Sequence, residues 1–224
     1  MEQEVDMNNV LKFLKKLEKN NNRDWFNANK DEYLGARDEF IAFVEKLIAG
    51  ISKFDPEIIG VDAKKSVFRI YRDVRFSKDK SPYKLNFGAS ITPGAGKMSS
   101  AGYYIHVQRK GSMLAGGKYM PEAKELLAIR NAIAARPKEF LKIEKSKKFK
   151  GYFGEISGER LKTAPKGFPK DHEMIEHLRL KSFIAYHSDI PQKTLLDPNY
   201  DKYALRVFKA MKPLNDFLRQ AIGG

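Results

Sequence analysis

Between residues 7 and 19 the apolar side chains Val10, Leu11, Leu14 and Leu17 recur at the three-and-four spacing that gathers them on one side of a helix. The run Asn20-Asn21-Asn22 predicts the end of that helix and offers an N-cap to a short one beginning near Arg23 and carrying Trp25 and Phe26. Residues 31–51 give the clearest helical pattern, with Tyr33, Ala36, Phe40, Val44, Leu47 and Ile51 every three or four positions. Beyond Pro56 the period drops to two. Ser66–Tyr71, Leu85–Ile91 and Tyr103–Gln108 alternate, and Lys110-Gly111 between Tyr103–Gln108 and Ser112–Ala115 predicts a hairpin. Pro121 opens a further helix through Leu126, Leu127, Ile129 and Ile133, and Pro137 starts another. Residues 151–169, rich in Gly and Pro, read as irregular, and Phe183–His187 as one more strand. A last helix spans 197–218, with Tyr200, Tyr203, Val207, Met211, Leu214 and Leu218 on one face and Pro213 expected to kink or interrupt it.

Strands thus fall in the middle and helices at both ends, without the strand–helix–strand alternation of a parallel sheet. The expected class is α+β: one domain over residues 1–224, its mainly antiparallel central sheet flanked by N-terminal and C-terminal helices. Neither an internal repeat nor a linker divides the pattern.

The 224 residues are 42% hydrophobic and 12% aromatic, ample for a packed core, which excludes a disordered chain. With no cysteine, disulfides, thiolate metal sites and a cysteine nucleophile are excluded. No apolar run approaches the roughly 20 residues that span a bilayer. The opening MEQEVDMNNV is acidic and polar, unlike a secretory signal, so a cytoplasmic protein without a membrane partner is expected.

Charge changes the picture most. Lys and Arg number 42 against 28 Asp and Glu, a net of +14. Residues 1–62 carry a net of −4, residues 63–150 a net of +15 and residues 151–224 a net of +3. The middle segment therefore supplies the whole excess, and such a field favours nucleic acid, phosphorylated metabolites or an acidic partner. Its densest run, Lys142 to Lys150, has one aromatic, Phe149, and none of the repeated interleaving that stacks bases.

The densest chemistry lies at residues 68–84. If the strand continues to Arg75, Arg69, Tyr71, Asp73 and Arg75 share one face, and Phe68, Ile70, Arg72 and Val74 the other. One carboxylate pairs with one guanidinium in a bidentate fork, so a surplus of arginines around Asp73 leaves positive charge seeking a second anion. The alternative is a structural ion-pair network. On the first reading Arg69, Arg72, Arg75, Lys80 and Lys84 bind a small phosphate- or carboxylate-bearing ligand. Asp73 would orient an arginine or act as a base, and Tyr83 or His106 would move a proton. His106 stands between Ile105 and Val107 and shares a strand face with Tyr104 and Gln108.

Other features carry less. His172 and His177 superficially match HExxH but are five apart, about 140° around a helix, so they cannot share a metal from one face. No metal ligand set and no cofactor is expected. Thr92-Pro93-Gly94-Ala95-Gly96-Lys97-Met98 and Gly116-Gly117-Lys118-Tyr119 evoke phosphate loops without matching the P-loop spacing. Both read as turns, the second with backbone N–H groups that could face an anion.

The string Arg69-x-x-Arg72-Asp73-x-Arg75-Phe76, followed by Asp79-Lys80-x-x-Tyr83, resembles the signature of the bacterial and fungal family DUF2461, a domain of unknown function. Three further segments are similar to it: Asn21-Asn22-x-x-Trp25-Phe26-x-x-x-Lys30-x-x-Tyr33, Gly102-Tyr103-Tyr104-Ile105-His106, and Pro165-Lys166-Gly167-Phe168 with Asp171-His172. The likeness runs from about residue 11 to 220. It implies a single domain of this length and lends no activity, substrate or catalytic residue. From the residues themselves, a small-anion site, a salt-dependent nucleic-acid module and an interaction protein with an acidic partner stand as competing functions. Nothing in the sequence sets the oligomeric state.

Overall fold

Asn22 caps as its position predicts: its side-chain oxygen accepts the Trp25 N–H at 2.9 Å, opening a six-residue helix behind the first one. In the computed structural model, which describes residues 7–94 and 100–223, the chain begins with α1 (Met7–Lys19), α2 (Arg23–Ala28) and α3 (Lys30–Ser52). A 3-10 turn at Pro56–Ile58 and a single helical turn, α4 (Ala63–Ser66), follow. Then come β1 (Asn86–Ile91), β2 (Gly102–Gln108), β3 (Ser112–Lys118), α5 (Ala123–Ala135), α6 (Pro137–Glu144), α7 (Lys147–Phe153) and α8 (Ile175–Leu178). The chain ends with β4 (Phe183–Ile190), α9 (Gln192–Leu195) and α10 (Tyr200–Gly223). The four strands form one antiparallel sheet in the order β1-β2-β3-β4, and the class is α+β.

Three expectations need correction. Ser66 closes α4, because the Asp62 side chain accepts the Lys65 N–H at 3.1 Å and starts a helical turn where a strand was expected. Pro213 does not interrupt α10, which continues ten residues beyond it. Gly116 and Gly117 belong to β3 and form no loop; a side chain on Gly117, at φ +127°, would meet the Phe183 carbonyl oxygen of the neighbouring strand at 2.0 Å. Close strand approach is what these glycines supply. Of the other glycine run, Ala95 to Met98 lie outside the described residues.

By compactness the chain divides into two units, one of residues 1–91, 104–114 and 188–206, the other of residues 92–103, 115–187 and 207–224. In the first, α1 buries Val10, Leu11, Phe13, Leu14 and Leu17. Phe13 lies 5.7 Å from Tyr33 and 6.2 Å from Phe87, while Phe26 stacks on Tyr83 at 3.9 Å. These rings are the centre of that core. Deeper in sequence, Tyr200 lies flat on Phe43 at 5.3 Å. In the second unit Phe140 packs 5.2 Å from Phe217, and Tyr103 meets Phe208 edge-on at 5.2 Å. Buried Arg130 donates to the carbonyl oxygens of Leu178 at 2.7 Å and Leu180 at 3.2 Å, which satisfies a cation inside an apolar setting.

Candidate functional site

Residues 67–89 fold back on themselves. Phe68 N–H donates to the Gly88 carbonyl at 2.9 Å, Lys84 N–H to that of Ile70 at 2.7 Å and Arg72 N–H to that of Pro82 at 2.9 Å. Outside β1 the pairing amounts to isolated bridges, Val67 with Ala89 and Tyr71 with Tyr83, so the extended arm stops near Tyr71 instead of running to Arg75. Residues 73–81 turn away as a loop.

That loop satisfies its own charges. Arg72 pairs with Asp79 and donates to Ser81 Oγ at 2.5 Å and Ser77 Oγ at 3.3 Å. Asp79 also accepts the Ser81 N–H at 2.9 Å. The Arg72 guanidinium, helped by Ser81, holds the Asp79 carboxyl well below the usual carboxylate range. Arg75 grips Asp73 in a fork, Nε to Oδ1 at 3.0 Å and Nη2 to Oδ2 at 2.7 Å. That bond lowers the Asp73 carboxyl, with Arg69 a minor contributor. Lys80 donates to the Val74 carbonyl at 3.0 Å. Three arginines therefore do not converge on Asp73: Arg72 and Arg75 each have a carboxylate of their own, both on the exposed loop. Tyr83 is 3% exposed within the aromatic core, where burial raises its hydroxyl.

Arg69 and Lys84 differ. Neither belongs to an ion pair among the described residues. Lys84 is half-buried, its Nζ donating to the Arg69 carbonyl at 3.0 Å and standing 5.8 Å over the Phe68 ring. Burial, and then the Arg69 charge, push its ammonium below the usual lysine value.

Next to them lies the polar row of β2. Tyr103, Ile105 and Val107 turn to the core, leaving Tyr104, His106 and Gln108 half-buried on the other side. Phe68 meets Tyr104 edge-on at 6.1 Å, and the Tyr104 hydroxyl lies 3.1 Å from His106 Nδ1. Gly88 makes room for that hydroxyl, which would lie 2.7 Å from any Cβ there. Burial raises Tyr104 to about 12. Burial also lowers His106, against a weaker opposing hydrogen bond to the Gln108 side chain. The phenol is therefore protonated and the imidazole neutral at pH 7. With its proton on Nε2, His106 accepts the Tyr104 O–H.

Of the expected residues, Lys84 and His106 are thus linked through two aromatics that the sequence did not mark as ligands, Phe68 and Tyr104, and Arg69 adjoins them through its backbone carbonyl and its charge on Lys84. The alternation of β2 carried the signal for Tyr104; nothing in the sequence marked Phe68. His177 bonds Glu144 at 2.9 Å and His172 Nδ1 accepts the Met174 N–H at 3.0 Å, two separate engagements that leave no shared ligand pair.

Residues 9–217 match the family described as Conserved hypothetical protein (DUF2461). The chain belongs to this family. No curated protein and no solved structure matches it. In this DUF2461 chain the string Gly102-Tyr103-Tyr104-Ile105-His106 is the first part of β2 itself, and Trp25-Phe26 lies in α2 against Phe13. The arginine-rich string of this DUF2461 member divides between the patch, through Arg69, and the self-paired loop, through Arg72, Asp73 and Arg75.

Proposed function

We propose that the protein binds a small phosphate- or carboxylate-bearing ligand over Arg69, Lys84, Tyr104 and His106. The observation that carries the reading is the half-buried Lys84 ammonium, held beside a second cation with no carboxylate in pairing distance among the described residues. A buried charge without a counter-charge is costly, and an anion relieves it. Arg69 supplies a planar fork for two oxygens, Lys84 a point charge, and the Tyr104 hydroxyl a neutral donor. For this the Tyr104 O–H turns from His106 Nδ1 to a ligand oxygen, which frees the neutral imidazole to accept a proton from the ligand. Asp73, Arg72, Arg75, Lys80 and Tyr83 have no part in this reading, since their polar atoms are engaged in the loop or their ring is in the core.

Calorimetric titration with inorganic phosphate, a phosphate monoester and a dicarboxylate tests it. The native chain should take up one anion, and Lys84→Met or Arg69→Gln should each weaken binding at least about tenfold, the scale of one lost charged hydrogen bond. Absence of heat with all three anions overturns the reading.

A further inference from the structure

The helix pair α6 and α7 carries a second cationic surface, in the other compact unit and sharing no residue with the patch above. Lys138, Lys142 and Lys145 stand at i, i+4 and i+7, one line along α6 and its end, on the side opposite the fully buried Phe140. Lys147, Lys148 and Lys150 continue it on α7, whose Phe149 and Phe153 are buried. Ser146 joins the two helices, its Oγ accepting the Phe149 N–H at 3.2 Å.

All six lysines are exposed, and none belongs to an ion pair among the described residues. The segment's two acids are already consumed. Glu139 pairs with Arg136 at 3.2 Å. Glu144 turns inward, one oxygen accepting the Ile156 N–H at 3.0 Å and the other bonding His177 Nε2 at 2.9 Å. Those bonds outweigh burial and hold its carboxyl low, so its charge is spent inside the fold. The six lysines face solvent without a paired carboxylate among the described residues.

We infer that the α6–α7 lysines form a binding surface for the phosphodiester backbone of a nucleic acid, read without regard to sequence. A row of point cations suits a partner with one negative charge per about 1.7 Å of duplex axis. Both aromatic side chains of residues 138–150, Phe140 and Phe149, are buried, so this stretch offers no ring to stack on a base. Contacts to the backbone alone fix position and carry no sequence information.

Fluorescence anisotropy with two labelled duplexes of unrelated sequence, at 50 and 200 mM NaCl, provides the test. If four of the lysines each meet a phosphate, the slope of log affinity against log salt is about −3.6, and affinity falls on the order of a hundredfold over that range. The two duplexes should bind alike. Combined Lys142→Gln, Lys145→Gln, Lys147→Gln and Lys148→Gln should remove most of that slope without altering the thermal melt. The variant Lys84→Met should bind duplex as the native chain does, which separates this surface from the small-anion patch. Three results would each overturn the inference: no binding at 50 mM salt, an unchanged slope in the four-lysine variant, or tighter binding to phosphatidylserine vesicles than to duplex.

Discussion

Lys84 carries a cost that its neighbours do not relieve. Its pKa in the folded chain is depressed, first by burial and then by Arg69, so the unfolded chain holds the proton more tightly. The stability this group contributes is complete only above the ordinary lysine value of 10.5 and is lost as pH falls through the depressed value. At pH 7 it is a penalty. Lys84→Met should therefore leave the melting temperature equal or higher while weakening phosphate uptake at least about tenfold, a pairing of effects that calorimetry and a thermal melt read together. The anion needs the charged ammonium, so phosphate affinity of the native chain should fall as pH rises through the depressed lysine value. His106 obeys the same sign at a lower pH. Its depressed pKa costs stability as pH falls from about 6.5 through the folded value. The drop in urea midpoint between pH 7.5 and pH 5 should be smaller in His106→Gln than in the native chain. Gly88→Ala tests the pair by sterics: a methyl 2.7 Å from the Tyr104 hydroxyl must displace the phenol from His106. Overpacking of this kind costs about 1–3 kcal/mol. A shifted His106 imidazole resonance and weaker phosphate binding are the expected readouts.

At the scale of elements, what the sequence made legible followed from periodicity, and what it hid followed from pairing. The helical stripe of Val10 to Leu17 and the alternation of Tyr103 to Gln108 describe a local backbone and its buried face, and both stand in the structure. Arg69 to Arg75 alternates as well, yet the arm ends near Tyr71. Alternation cannot say how far a partner strand extends, and beyond Pro82 the partner turns away. Once the backbone leaves the extended form, Asp73 and Asp79 are free to pair with Arg75 and Arg72, and the arginine surplus dissolves into two exposed pairs. Asn21 shows the same limit. Sixty-two positions from Tyr83, its amide donates to the Tyr83 carbonyl at 3.0 Å and accepts the Tyr83 N–H at 3.1 Å, serving as a strand neighbour would. In sequence it reads as one more polar residue at a helix end. Asn21→Ala leaves both backbone groups without their partner inside a part-buried setting, at about 1–3 kcal/mol for an unsatisfied group. Urea denaturation should show a lower midpoint with an unchanged slope.

For the whole molecule, the 21 Lys and Arg of residues 63–150 are not one field with one purpose. Part is neutralised where it stands, by Asp73, Asp79 and Glu125, the last bonded to buried Lys118 at 2.8 Å. Part is buried and bonded to carbonyls, as in Arg130. Among the described cations left without a carboxylate, two groups differ in form: one half-buried cation beside Arg69, and a line of exposed lysines on α6 and α7. A buried charge discriminates by desolvation and geometry, and its binding changes little with salt. Exposed charges act through released counterions and weaken steeply as salt rises. The two should therefore part under ionic strength. Between 50 and 200 mM NaCl, duplex affinity should drop on the order of a hundredfold while phosphate affinity, measured in chloride at constant pH, changes by no more than about threefold. The four-lysine variant should keep the phosphate affinity of the native chain. If both ligands instead weakened together with salt, the small anion would be meeting exposed lysines, and Lys84 would be a structural cation after all.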